Sequence, residues 1–489
     1  MRRVKVTLLL CALFALFLSI PAWGGGMGTF GVGAKAKAMG GTFRAIADDW
    51  SAAYYNPAGL FYVTENELTV NEIITNYQLK YSPTVKNGAY PIGFYSGEIR
   101  NRYETITNPN FGGYFKLPVG GNDVILGFTI FQPFDMNLSW ELFSPLNNSA
   151  SLPGQQLEHN FDGVAINAVA AVELIENKLS FGISTGVLKA DLNYGGFFLR
   201  QNPADPTADY YDVVASRPND LITEWQMSDG NGLGFNLRAG FLLKPTTKLS
   251  FGVSYAIKST IKIDGKTDFY YYMPEITYNS GLIFTDSEDY ILSSGAVYEA
   301  RGDFETEVTM PSQIAAGIAY QLSEKLLIAG DIEYTLWSDF KGYAFDYTFS
   351  DSNITRNARI NSWAVEDLSV PVDWDNTIRG SVGLEYAYSD KLILRGGYSA
   401  DQTPVKQGTL HPAFFDSGLK HAANFGIGLV FENVKLDFAT QYIMYPESTE
   451  SGNTYLEDAN GITDNSFDNM SGTYSGSAFE SVVQFTVRF

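Results

Sequence analysis

Lys248–Lys258 reads KLSFGVSYAIK, and its alternation decides the fold. Side chains along an extended strand point to opposite faces in turn. Leu249, Phe251, Val253, Tyr255 and Ile257 therefore share one face, and Ser250, Gly252, Ser254, Ala256 and Lys258 share the other. One face is apolar and aromatic; the other is mostly small and polar. This suits a strand with lipid on its first face and a closely packed lumen on its second. Ala423, Phe425, Ile427, Leu429 and Phe431 repeat the apolar series. The chain ends the same way, with Val483, Phe485, Val487 and Phe489 opposite Gln484, Thr486 and Arg488.

The strand recurs with a fixed opening. A short polar turn, then Lys-Leu, starts an alternating segment at Lys178, Lys248, Lys325, Lys391 and Lys435. Similar segments start near residues 66, 104, 123, 157, 178, 231, 248, 308, 325, 374, 391, 420, 435 and 478, about 14 in all. Bacterial single-chain outer-membrane barrels have an even number of antiparallel strands, with short periplasmic turns and long outer loops. Closure is required in lipid, where an unpaired strand edge finds no water to satisfy it. The expectation is an all-β fold, a transmembrane antiparallel β-barrel of about 14 strands. The polar stretches 197–230, 264–304, 340–372, 401–419 and 446–477 read as outer loops, whose carboxylates face solvent or divalent cations held with lipopolysaccharide.

The N-terminus reads as an export signal. Arg2, Arg3 and Lys5 precede an apolar run from Val6 to Ile20, too short to span a bilayer as a helix. Small residues at Ala22 and Gly24 place cleavage after about Gly24. Cys11, the only cysteine, lies in this signal, so the mature chain has no disulfide, thiolate ligand or cysteine nucleophile. The net charge of the chain is -21, and loss of the signal's three cations makes it about -24. A surface this acidic excludes nucleic acid as a partner. Only His159, His411 and His421 are available as imidazoles, and neither GxSxG nor HExxH occurs. The expectation is no catalytic site, no metal and no cofactor. A barrel enzyme and an open porin or structural barrel remain as competing classes.

Phe30–Leu60 reads FGVGAKAKAMGGTFRAIADDWSAAYYNPAGL. Gly31, Gly33, Gly40 and Gly41 allow close backbone approach, and their spacing does not fit a dinucleotide loop. Asn56 suits a helix cap and Pro57 a first helical position, so a short helix is expected from there. Further along, Met310-Pro311-Ser312 leads into Ala316-Gly317-Ile318-Ala319-Tyr320. Asp331 and Trp337-Ser338-Asp339-Phe340 follow, then Leu394-Arg395-Gly396-Gly397-Tyr398 and Thr403-Pro404-Val405.

Together, in this order and spacing, these segments and the N-terminal run resemble the FadL family. Those are outer-membrane channels for long-chain fatty acids and other hydrophobic molecules, TodX-like proteins among them. The resemblance covers nearly the whole mature chain. It implies a signal peptide over 1–24, a small, partly helical hatch in the lumen over 25–64, and the barrel over 65–489. It implies passive uptake by capture in an apolar pocket and sideways release through a gap near the third strand. That strand runs from Asp123 to about Asn137 and contains Gln132 and Pro133, and proline marks a break because it cannot donate to the ladder. The hatch motif would be Asn56, Pro57, Ala58 and Gly59. Lys189 and Arg379 stand where relatives have basic residues and become candidates for a ligand's head group. Asp375 stands where some relatives have lysine. Aromatic hydrocarbons or alkanes taken up by the same route are the alternative cargo. The remaining implied partners are outer-membrane lipid, lipopolysaccharide and the barrel-assembly machinery, which would read Phe489.

Overall fold

The computed structural model describes residues 26–63, 65–84, 97–103, 105–119, 122–142, 157–200, 222–273, 295–352, 367–406, 408–450 and 471–489. The expected signal peptide, with Cys11, lies outside the described residues.

Fourteen antiparallel strands close into one barrel. They are β1 Glu67–Pro83, β2 Ile99–Arg100 with Thr105–Val119, β3 Asn122–Trp140, β4 Leu157–Ile175, β5 Leu179–Arg200 and β6 Ile222–Thr246. β7 is Leu249–Ala256 with Ser259–Tyr272, and β8 is Val297–Met310 with Gln313–Ser323. β9 is Leu326–Thr335 with Gly342–Ser352, and β10 is Leu368–Pro371 with Thr377–Ser389. β11 Leu392–Asp401, β12 Lys420–Val430, β13 Val434–Glu450 and β14 Gly472–Arg488 complete the wall. β1 pairs with β14 from Glu67↔Arg488 to Pro83↔Gly472, which closes the sheet and removes its edges.

The outer face carries the predicted apolar series. Phe251, Val253 and Tyr255 are exposed, as are Phe425, Val483 and Phe485. Tyr255, Tyr334, Tyr398 and Tyr442 stand toward one end of this belt, and Tyr320, Tyr386, Tyr388, Phe431 and Phe489 stand at the end of the short turns. Two rings of aromatic residues flanking an apolar band mark the two interfaces of a membrane, with the short turns on the periplasmic side.

Two expectations change. Much of the sequence read as outer loop is strand. β5 continues to Arg200 and β6 starts at Ile222; β7 and β8 continue as paired strands through Tyr272 and from Val297; β9, β13 and β14 also reach into stretches read as loop. Apolar alternation stops where the membrane stops, but backbone pairing does not depend on it. Beyond the belt the outward faces are charged, as in Lys266 beside Asp303 and Arg301 beside Asp268. The second change is at Ile257 and Lys258. β7 is interrupted there, so Ile257 lines an internal cavity while the Lys258 side chain is 60% exposed, the reverse of the uninterrupted alternation.

Candidate functional site

Residues 26–63 lie inside the barrel and are almost all buried. They form two short helices, Ala34–Ala38 and Ala52–Tyr55, and a 3₁₀ turn, Pro57–Tyr62. Asn56 organises the last of these, as its sequence position suggested. Its Oδ1 accepts from the Ala58 amide at 3.2 Å, while its Nδ2 donates to the Arg44 carbonyl at 2.8 Å and the Phe241 carbonyl at 3.0 Å. One side chain thus caps the turn, closes the segment on itself and ties it to β6.

The segment can approach the wall this closely because the wall is glycine where they meet. A Cβ added to Gly252 would stand 1.9 Å from the Arg44 carbonyl oxygen, and one on Gly397 would stand 2.2 Å from the Met39 carbonyl carbon. Gly182, Gly240, Gly383 and Gly426 meet Pro57, Asn56, Met39 and Ala38 in the same way. Charges complete the fit. Lys35 pairs with Asp48 at 2.9 Å and with Glu385 of β10 at 3.4 Å. Lys37 pairs with Glu480 of β14, and Arg44 with Glu333 of β9. The Phe43 and Arg44 amides donate to Asp331 Oδ2 at 2.7 and 2.8 Å.

The wall opens beside this segment. β2 and β3 pair from Val119↔Asn122 to Phe111↔Ile130 and then part. Beyond that point β3 pairs only with β4, with a register shift between Phe131 and Phe134 that brackets Gln132 and Pro133. Contact across the seam returns where Arg102 N donates to the Ser139 carbonyl at 2.8 Å. In between, the inner edge of β3 is paired by the chain's own N-terminal residues. Thr29 N donates to the Pro133 carbonyl at 3.1 Å, and Asp135 N donates to the Met27 carbonyl at 2.9 Å. Gln132 N to Asn110 Oδ1, at 3.3 Å, is a remaining link to β2. Phe111 and Phe128, exposed on the outer face, stand at the lower end of the seam.

A cavity backs onto the seam. Asn108 and Asn110 of β2, Gln132 and Asp135 of β3, Tyr77 of β1 and Lys37 are among its lining residues. Its other lysine, Lys420, is paired with Asp416, which also accepts from Gly26 N at 2.6 Å. A second, smaller cavity lies beyond Pro133 toward β6–β8.

The outer end of the lumen is filled by the turn Pro412–Phe414, between β11 and β12. Trp140 Nε1 donates to the Pro412 carbonyl at 2.9 Å. Phe414 packs against His159, Tyr194, Tyr343, Phe340 and Trp374. This accounts for the histidines. His159 lies between the Ala413 carbonyl at 2.6 Å and Tyr343 Oη at 2.7 Å. His411 Nδ1 accepts from Ala413 N at 3.0 Å, and His421 Nδ1 lies 2.6 Å from Tyr398 Oη. Among the described residues none of the three is joined to a serine or a carboxylate in the manner of a nucleophile and its base. Among the described residues no cluster of three or more metal-ligating side chains occurs.

The head-group candidates separate. Arg379 is in the lumen, but its Nη2 donates to the Phe30 carbonyl at 3.1 Å and its guanidinium lies over the Phe30 ring. Lys189 is not in the lumen. It projects from the outer face of β5, 45% exposed and paired with Asp191 at 2.7 Å, while its neighbours Leu188 and Ala190 point inward. It therefore meets no lumen ligand. Asp375 is 66% exposed at the mouth, 3.7 Å from Lys406, and does not face the cavities. Sequence reasoning passed over Arg238. The exposed Leu233, Phe235 and Phe241 around it fix its parity and turn it inward.

A closed barrel with an aromatic-flanked apolar belt, a lumen occupied by its own N-terminal segment and a seam in its wall defines an outer-membrane channel protein. The chain belongs to the outer membrane protein transport family (OMPP1/FadL/TodX), whose sequence model matches residues 18–489. Members of this family are outer-membrane transporters of hydrophobic compounds, not enzymes. An outer-membrane protein of Neisseria meningitidis serogroup B is 22% identical over 410 residues, 82% of this chain and 81% of that protein. The crystal structure of a Pseudomonas aeruginosa FadL homologue superposes with a TM-score of 0.72 at 15% identity, covering 95% of this chain and all of the other. The Pseudomonas putida toluene transporter TodX gives 0.64 at 17% identity, covering 94% and 99%. At these identities the likeness is one of fold.

Proposed function

We propose that this protein takes up hydrophobic molecules across the outer membrane by capturing them in the lumen and releasing them sideways between β2 and β3, while residues 25–64 stay in place as a hatch. The observation that carries this reading is the inner edge of β3, which leaves β2 and pairs with Met27 and Thr29. Magnitudes favour this exit over one straight through. Unseating the hatch would break the buried pairs of Lys37 and Arg44, and a buried charge left without its partner costs about 3–5 kcal/mol. Opening the seam exchanges a few backbone and amide hydrogen bonds, each worth about 1 kcal/mol. Burial in an apolar cavity supplies about 0.8 kcal/mol per methylene, less the cost of association, so no energy source is required. This chain is read as a carrier and not an enzyme; the placement of its three histidines supports that reading. Phe489, exposed at the end of β14, is proposed as the mark read by the assembly machinery, with lipid and lipopolysaccharide around the belt.

The test uses the absence of cysteine after Cys11. The pair Asn110→Cys and Gln132→Cys places thiols on either side of the seam. When oxidised, this variant is expected to lose uptake of a labelled fatty acid or hydrocarbon, and reductant should restore it. Full uptake with the disulfide formed would move the exit elsewhere. Large ion conductance in bilayers would favour a porin, and hydrolysis of phospholipid by the purified protein an enzyme.

A further inference from the structure

The seam between β2 and β3 is bordered by carboxylates. On β3, Met136 and Leu138 are buried toward the lumen, and Asp135 and Asn137 alternate with them. All four nevertheless line the cavity at the seam, because the wall is open there. Asp135 stands directly opposite Asp162 of β4, and Asp162 directly opposite Asp191 of β5. One row of carboxylates thus crosses three neighbouring strands. Asp191 has a cation, Lys189, at 2.7 Å. Among the described residues neither Asp135 nor Asp162 has a lysine or arginine within ion-pair distance. The two lysines of the cavity, Lys37 and Lys420, are taken by Glu480 and Asp416. Like charges directly opposite each other destabilise a sheet, and ionisable groups at membrane depth are costly.

The upper end of the seam has the same bias. Glu158 of β4, opposite Ser139 of β3, is only 5% exposed. Its Oε1 accepts from Tyr103 Oη at 2.9 Å and from Asn160 Nδ2 at 2.6 Å, but its Oε2 is buried without a partner. Asn160 Oδ1 is buried without one as well. The nearest amide donor of the seam, Gln132 Nε2, is already given to Asp162 at 2.8 Å. The border is therefore short of donors and of positive charge. A buried acceptor left without a donor is costly, and a donor brought by a ligand removes that cost.

We infer that the seam selects the head group of what passes through it. The cargo it fits is an amphiphile whose head donates hydrogen bonds and carries no negative charge, a long-chain alcohol being the simplest. The hydroxyl hydrogen goes to Asp135 or Asp162 as the chain slides between β2 and β3. A carboxylate head meets the row as one more like charge and is held back. Lys189 does not offset this, because Asp191 already holds it. This rests on the sideways-release reading above and deepens it by naming the class of cargo, with Asp135 and Asp162 as the residues that set specificity.

The experiment measures uptake of labelled hexadecanol and palmitate at neutral pH, in cells carrying the full-length protein against cells without it. Wild type should take up hexadecanol about tenfold faster than palmitate, the factor that one like-charge contact near a protein surface gives. Asp135→Asn and Asp162→Asn keep the size and remove the charge. Each should raise the palmitate share several-fold, and the two together should bring the rates within about twofold of each other. Asp135→Glu should keep the wild-type ratio. Lys189→Ala, which leaves Asp191 uncompensated, should move the ratio further toward the alcohol. Heat-modifiable migration on gels reports folding. If an Asn variant does not fold, the wild-type ratio and Lys189→Ala decide. Palmitate entering wild type as fast as hexadecanol, or a ratio unchanged in both Asn variants, would overturn the inference. The Asn110→Cys and Gln132→Cys cross-link separates it from the reading beneath. If the cross-link stops both ligands and wild type does not discriminate, the route stands and only the selection falls. If the cross-link stops neither ligand, both fall.

Discussion

The Thr29 amide donates to the Pro133 carbonyl across 3.1 Å, so the chain's own N-terminal segment takes the place of β2 on the inner edge of β3. A strand edge in a membrane cannot be left unpaired. Here it is paired by a segment anchored elsewhere on the wall through Asn56 to β6, Arg44 to β9 and Lys37 to β14. Hatch and seam are therefore one mechanical unit, and a ligand that competes for the few hydrogen bonds at Met27–Thr29 acts on the wall directly.

Pro133→Thr restores an amide where β3 needs one to rejoin β2. Uptake is expected to fall several-fold, with heat-modifiable migration unchanged. Unaltered uptake would show that Pro133 only marks the bulge between Phe131 and Phe134 and does not hold it open.

Gly252→Val places a Cβ 1.9 Å from the Arg44 carbonyl oxygen, a backbone atom with no room to retreat. Overpacking of this kind costs about 1–3 kcal/mol. The midpoint of heat-induced unfolding should fall and ion leak should rise, because the hatch is pushed off the wall. Phe251→Val, one residue away on the lipid face, should change neither. Equal effects of the two substitutions would show that strand propensity and not the seat of the hatch is responsible.

The barrel was legible because lipid and lumen impose opposite chemistry on alternate residues, and the hatch turn because Asn56-Pro57 is a helix start on local grounds. The strand extensions above the membrane were not, since Lys266, Asp303 and Arg301 alternate in charge and polarity, where no apolar series marks a strand. Lys189 illustrates parity overlooked. Val187, in step with it, is exposed to lipid, which already turned Lys189 outward. Arg238 was assignable to the lumen by the same parity. Its pairing with Gln313 was not, because pairing across a barrel joins residues from strands far apart in sequence.

Lys37 and Glu480 form a pair buried on both sides, with side-chain exposures of 1% and 7%. Glu480→Gln leaves the ammonium in the lumen without its counter-charge, and the loss expected is about 3–5 kcal/mol. Replacing both residues by methionine should recover most of it, since a well-packed apolar pair removes the charge along with its partner. Urea titrations of the single and double variants form the cycle. A double variant as unstable as the sum of the singles would show that the two side chains act independently.

His411 makes the mouth sensitive to acid. Burial pushes its imidazole from the ordinary 6.5 down to about 3, and its Nδ1 accepts from Ala413 N, which a protonated ring cannot do. Its folded value lies below its unfolded one, so the unfolded loop binds the proton more readily. The stabilisation is fully present above about pH 6.5 and is lost as the pH falls from there toward 3. Each pH unit in that window costs about 1.4 kcal/mol, or about 2 kcal/mol by pH 5. Local opening of the turn Pro412–Phe414 should therefore increase about thirtyfold between pH 7 and pH 5. Hydrogen exchange over residues 408–418, corrected for the intrinsic pH dependence of exchange, would measure it. His411→Asn keeps an acceptor for the Ala413 amide and does not titrate, so its opening should keep only the weaker acid dependence that His159, buried on the Ala413 carbonyl, contributes. If the variant opens with the same acid dependence as wild type, another group carries the proton and His411 only lines the mouth beside Val372 and Trp374.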